Sequence, residues 1–286
     1  MVHIRNFPTL KLFQILAPIQ KCNLLICCRE DITGILKYMM VWRPNWVAFK
    51  DLLRRLGWSM MEEVALVPSP IEVPIGRLVK MNILMWNCRG ALNADFKRRI
   101  FEMVVNHHPA IMVITKTRVS GKRAKRIAEG LPFDGFYATD TIGYAGGLWL
   151  LWNKDEAEVF ILSAMKQEIH ASMKVCNSNT SWLISSIYAR PRLVERRILW
   201  SNLSKVAELH SLPWLVLGDF NEILSGEDKF GGRRLNLNRA IEFKDCIDSC
   251  NLLGLGFSRP KFTWSNLRQV SDLILERLDK CFANPS

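Results

Sequence analysis

Four stretches of this chain are apolar almost throughout and then stop on polar residues: MNILMWN from Met81, IMVITKT from Ile111, SWLISSIY from Ser181 and PWLVLGDFN from Pro213. Runs of this length, rich in Ile, Leu, Val and Trp, read as buried strands. A strand buried on both faces needs cover on both, so the runs require sheet layers with other elements packed outside them. Their polar ends (Asn87, Lys116, Tyr188, Asp219 and Asn221) then gather along sheet edges, where scaffolds commonly carry function.

Other segments fill in this frame. Residues 95–108 place Phe96, Ile100, Met103 and Val104 on one helical face, and Pro109 ends that pattern. Residues 120–129 form a short helix with Ala124, Ile127 and Ala128 inward and Lys122, Arg123, Lys125 and Arg126 outward. The stretches GFYAT, GGLWLLW, AEVFIL, EIHASMKV and SWLISSIYA follow as hairpin-linked, largely antiparallel strands. Two more helices are expected, over RLVERRILWSNLSKVAEL and from about Asn238 to Cys250, then final strands at KFTWSN and ERLDKCFA. Periodicity carries the fold to α/β or α+β and no further.

Residues 1–80 have a different grammar: one short helix around Trp42 to Trp58, and a Pro-rich linker at 68–76. They read as an N-terminal appendage before a domain at 81–286. Lys+Arg 39 against Asp+Glu 27 gives a net charge of +12, which favours polyanionic partners, nucleic acid before anionic membrane. No stretch is long and apolar enough for a membrane span. The eight cysteines form no CxxC pair and have no histidine at zinc-ligand spacing, so zinc is not expected and the thiols read as reduced. The expected setting is intracellular, the nucleus included; the basic, acid-free first 29 residues lack the serines of an organelle leader.

Asn87, Asp219, Asn221 and Asp279 supply oxygens, the ligand type that suits Mg²⁺ at a phosphate site. Taken singly, each is as well read as a local turn hydrogen-bonder. As a set, the stretches MNILMWNCRG, IMVITKTRV, GGLWLLW, SSIYARP, PWLVLGDFNEIL, GGRR, LLGLGFSRPKFTWSN and ERLDKCFAN resemble, in order and spacing, the endonuclease/exonuclease/phosphatase superfamily. The resemblance spans residues 81 to about 283 and is greatest to the endonuclease domain of plant LINE-type (non-LTR) retrotransposons. It implies a four-layer α/β/β/α sandwich with a Mg²⁺-dependent phosphodiesterase site at the strand ends. It also implies roles: Asn87 at the metal-bound phosphate, Tyr188 donating to the scissile phosphate, Asp219 positioning the attacking water. Asn221 would steady phosphate oxygens, and Asp279 would orient a catalytic histidine. Arg89, within the family-like NCRG, is expected to face phosphate.

This sequence departs from that pattern in two ways. Lys116 stands where the family places the metal-binding glutamate. At ~4 Å two unit charges interact by about 4 kcal/mol at an effective dielectric of 20, and Mg²⁺ doubles that, so an ammonium there opposes metal binding. The pattern also closes on a Ser-Asp-His strand, whereas no histidine follows Asp279; the sandwich is expected to lack that strand.

Three functions are compatible with these features. One is a Mg²⁺-dependent DNA-nicking enzyme. Another is an impaired, still folded remnant that binds nucleic acid, with Arg118, Lys122 and Arg126 among its phosphate contacts. The last is a phosphatase acting on a soluble phosphoester. The sequence favours the second, with Lys116 paired to Asp219 or Asp279 in place of the metal. Oligomeric state is left open.

Overall fold

The computed structural model describes residues 10–11, 22–25, 81–141, 146–176, 181–257 and 261–285. The helix expected around Trp42 to Trp58 and the linker at 68–76 lie outside them.

Two six-stranded sheets organise these residues. In sheet one, β3 (Met81–Asn87) pairs parallel with β4 (Ile111–Thr115); β6 (Leu148–Trp152) lies antiparallel to β4, and β5 (Gly135–Ala138) lies beside β6. β3 also pairs with β1 (Leu10–Lys11) and β2 (Cys22–Leu25). In sheet two the order is β12 (Leu253–Gly254), β15 (Asp279–Ala283), β10 (Trp214–Asp219), β9 (Ser181–Tyr188), β8 (Glu168–Val175), β7 (Ala157–Ala164). Only its β9–β10 pairing is parallel. A small sheet joins β11 (Lys229–Phe230), β14 (Leu275–Glu276) and β13 (Trp264–Ser265).

Strand alternation divides the apolar residues into three cores. Met81, Ile83 and Met85 of β3 meet Ile184, Leu215, Leu217 and Cys281 of sheet two in a core between the sheets. The other face of β3, Leu84 and Trp86, packs under α1 (Phe96–His107) and α2 (Gly121–Ala128). The outer face of sheet two, with Leu183, Ile187 and Val216, packs under α3 (Leu193–Leu209) and α4 (Leu237–Ser249). The result is the α/β/β/α layering.

The helices form where apolar spacing demands them. Phe96, Ile100 and Met103 make the stripe of α1, which ends at His108 in left-handed backbone before Pro109. Asn236 caps α4 by accepting from the Arg239 backbone N–H. No helix among the described residues is long and apolar enough to cross a membrane.

Candidate functional site

The alternation that buries Met81, Ile83 and Met85 carries Asn87 onto the same inter-sheet face, and the rule holds for the other strand ends. Thr115 follows Ile111 and Val113; Tyr188 follows Ile184; Asp219 follows Leu215 and Leu217. Register completes the set: Asp219 lies beside Tyr188 on one flank and opposite Asp279 on the other. Residues paired across strands share a face, so the inter-sheet core ends in a polar mouth rimmed by both sheets.

A direct bond joins the sheets there: Asn87 Nδ2 donates to Asp219 Oδ2 at 3.4 Å. Lys116 reaches the same oxygen, with Nζ 3.0 Å away, and lies 5.3 Å from the centre of the Tyr188 ring. Asp219 is buried and Lys116 keeps 22% of its side chain exposed, so this ion pair has one solvent-facing member. Burial is the largest influence and works against the Lys116 charge, but the Asp219 carboxylate and the Tyr188 oxygen together hold its pKa above the usual lysine value. Burial raises the Tyr188 phenol, with Lys116 pulling the other way, so the hydroxyl stays protonated at neutral pH. The backbone N–H of Asn221 donates to Asp219 Oδ1 at 3.1 Å, and the Asn221 side chain donates to the Ala189 carbonyl, tying the ends of β9 and β10 together.

The segment carrying Lys116 is held from both sides. Ala91 N–H donates to the Thr117 carbonyl at 2.8 Å; Thr117 and Arg118 donate to Gly147 and Gly146 at 3.2 and 3.0 Å. Gly147 has φ +89°, and a Cβ there would collide with Thr117 Oγ1, so only glycine fits. Of the seven described non-glycine residues with left-handed backbone, four (Arg89, Lys116, Arg118 and Asn221) belong to this mouth. Such conformations cost on the order of 1–2 kcal/mol each, and more than half of those described are concentrated here.

The mouth carries surplus positive charge. Arg89, half-buried, lies near enough to oppose the Lys116 charge, and Arg190 and Arg118 both act on Tyr188. Lys116, Arg89 and Arg118 therefore face Asp219 and Asp279, while Arg190 pairs with Glu195. Arg118 is exposed, as are Lys122, Arg123, Lys125 and Arg126 on α2, none with an ion-pair partner among the described residues. They extend the basic surface from the mouth.

The residues at the mouth oppose a bound Mg²⁺, because the Lys116 ammonium sits on the Asp219 oxygen that a cation would take. Asn87 Oδ1 is buried without a hydrogen-bond partner among the described residues, which alone would suit a cation. The oxygen beside it, Asp219 Oδ2, already receives the Lys116 ammonium and the Asn87 amide.

Of the sequence-derived candidates, Asn87, Lys116, Tyr188, Asp219 and Asn221 are joined by contacts. Asp279 sits opposite Asp219 in the ladder, its backbone N–H donating to Thr263 Oγ1. The described histidines lie elsewhere. His170 is buried in sheet two against Ser185, and burial pushes it down to about 4, so it stays neutral. His107 closes α1 and is lowered by burial, so it is not the charged dipole partner its position suggests. Sequence reasoning missed Arg190, and also Glu222, the last residue of GDFNE. Glu222 is buried between Arg196 (2.9 Å) and Arg239 (3.0 Å), clamping the loop after β10 to α3 and α4.

The sequence profile of the Endonuclease/Exonuclease/phosphatase family matches residues 85–286. No curated protein matches the chain by sequence. Among solved structures, the endonuclease domain of TRAS1, a telomere-specific non-LTR retrotransposon, is similar at a TM-score of 0.53 with 12% identity, covering 71% of this chain and 84% of that one. The AP endonuclease LMAP from Leishmania major is similar at 0.55 with 11% identity, covering 71% and 78%. At these identities the likeness is one of fold.

Proposed function

Because the chain belongs to the endonuclease/exonuclease/phosphatase family, we propose that it is a phosphodiester-binding domain of retrotransposon-endonuclease descent, of the plant LINE type, in which Lys116 replaces the metal and metal-dependent hydrolysis is impaired. Members of this family are generally metal-dependent. The observation that carries the reading is the 3.0 Å contact between Lys116 Nζ and Asp219 Oδ2. A charge that family chemistry would take from a cation is supplied here by a side chain with no lone pair to give and no exchangeable water.

What is left suits binding. Tyr188 keeps its proton and can donate to a phosphate oxygen, and Lys116 and the three arginines around the mouth add charge. Asn87 and Asn221 position Asp219 and the strand ends. Charge complementarity of this kind binds DNA without base preference and with steep salt dependence. The motif order GDFNE to FTWSN to RLD, and the likeness to the TRAS1 domain, support the retrotransposon descent.

Titration of the full chain with Mg²⁺, followed by a supercoiled-plasmid nicking assay, tests the reading. The wild-type chain should show no micromolar Mg²⁺ binding and no nicking. It should still shift duplex DNA in a salt-dependent manner with EDTA present. Lys116→Glu should acquire Mg²⁺ affinity. Nicking by the unmodified chain in Mg²⁺ would refute impairment.

A further inference from the structure

Sheet two ends on two unlike edges. β12 is a strand of two residues, whereas β7 runs for eight, with β8 on one flank and no strand of the described residues on the other. An open edge of that length presents unused N–H and C=O groups, which folded proteins commonly blunt with charge, proline or a bulge. β7 has one bulge, between Ile161 and Ser163, so the stretch from Ala157 to Ile161 stays regular. The Cys176 N–H donates to the Glu156 carbonyl at 3.0 Å, and this sets the alternation of the ladder. Glu158 and Phe160 therefore turn their backbone groups to β8, while those of Ala157, Val159 and Ile161 point away from the sheet.

The side chains of this edge are as unguarded as its backbone. Val159 and Ile161 pack against the core between the sheets but stay only partly buried. On the outer face Phe160 is 61% and Leu162 46% exposed, and the run from Val159 to Leu162 carries no charge.

The strand complements its own reverse. With two copies antiparallel about a two-fold axis at Phe160, Val159 lies opposite the partner's Ile161, and Ile161 opposite the partner's Val159. Both pairs meet through the outward backbone groups. The inter-sheet core then continues from one copy into the next, and Phe160 lies against the partner's Phe160 on the outer face. Charge selects the same direction. Asp155, Glu156 and Glu158, with Lys154 among them, precede Phe160, whereas Lys166 and no acid follows in the six residues after it. Antiparallel pairing sets the acidic end of each strand beside the basic end of the other; parallel pairing would set like ends together.

We propose that β7 is a self-association edge through which two copies of this chain join their six-stranded sheets into one. Two antiparallel steps separate β7 from β9, so β7 points towards the mouth, and the two-fold reverses that direction in the partner. The two mouths then open at opposite ends of the joined sheet.

Sedimentation equilibrium of the full chain, freed of nucleic acid, tests the proposal. The mass should rise from one chain to two as concentration climbs through the micromolar range. A net charge of +12 on each copy opposes association, so added salt should favour the dimer, the reverse of its effect on DNA binding. Phe160→Lys places like charges together at the axis and should weaken association by about ten-fold or more; the side chain is exposed in the single copy, so the fold survives. Val159→Pro removes an N–H that points away from β8 and should weaken association likewise. A single-chain mass at every concentration and salt would overturn the proposal. A dimer that Phe160→Lys and Val159→Pro both leave intact would overturn it too, because the contact would then lie elsewhere.

Discussion

Two lysine–aspartate pairs meet at the β10–β15 ladder, one through Asp219 of β10 and one through Lys280 of β15, and behave in opposite ways. Lys116 meets Asp219 on the inter-sheet face; Lys280, next to Asp279 on β15 and so turned to the other side of the strand, meets Asp228 Oδ2 at 2.9 Å. Asp228 is wholly enclosed. It also takes the Arg277 guanidinium at 2.5 Å and the Leu224 N–H at 3.2 Å. Yet burial lowers Lys280 to about 8, despite that carboxylate, while Lys116 is held above the ordinary lysine value by its own. The difference is access to water. Where one partner keeps solvent, the pair's attraction exceeds its desolvation; where both are enclosed, desolvation wins for the lysine. The enclosed pair is a fastener, and the open one is the pair proposed above to bind phosphodiester.

The comparison breaks first if the fastener proves dispensable. Asp228→Ala leaves Lys280 and the partly buried Arg277 without their carboxylate, so the expected loss is about 3–5 kcal/mol, read as a lowered midpoint in urea. The same side chain ties the segment after β14 to the loop after β10, because the Arg277 guanidinium donates to Asp228 Oδ1. A loss under 1 kcal/mol would mean the enclosed pair is as solvated as the open one.

If desolvation governs Lys280, it should appear in purer form at Glu168, a buried carboxyl with no cation partner. Burial raises its pKa from 4.5 to about 7. The folded state therefore binds its proton more tightly than the unfolded state. Stability from this group is full below about 4.5 and is lost as pH rises through about 7. Glu168→Gln should consequently gain on the wild type by up to about 3 kcal/mol at pH 8 and match it below pH 4.5, as followed by thermal unfolding across pH. A flat difference would locate a charge partner that offsets the burial.

How far such distinctions can be read in advance depends on the range of the contacts involved. The layers were legible because β3, β4 and β10 are apolar on both faces, and each strand's alternation also places its terminal polar residue. Asn87, Tyr188, Asp219 and Asp279 therefore reach one mouth by parity alone. Lys116 is different: in its own window it reads as a surface residue, and its significance came from the family resemblance. Glu168, Arg190, Glu222 and Asp228 were invisible. Glu168 stands in an ordinary strand, and its partner Asn202 is 34 residues away on α3. Asp228 lies 52 residues from Lys280, a separation at which no local pattern survives.

The smallest expected effect on stability, and the one that most sharpens the contrast, is at the open pair. Lys116→Met removes the ammonium but leaves the buried Asp219 with the Asn87 amide and the Asn221 N–H, so the loss at neutral pH should be about 1 kcal/mol. Because the folded pKa of Lys116 is raised, its contribution is fully present below the unfolded lysine value. It is lost as pH rises through the folded value, above 10.5. The wild-type advantage over Lys116→Met should therefore persist to pH 10 and fade only beyond it. Lys280, with its pKa lowered, should make the wild type gain stability as pH climbs from about 8 towards 10.5. Opposite alkaline slopes from two lysines each bonded to an aspartate would show that the mouth keeps the Lys116 charge while enclosure penalises that of Lys280; parallel slopes would make Lys116 another fastener.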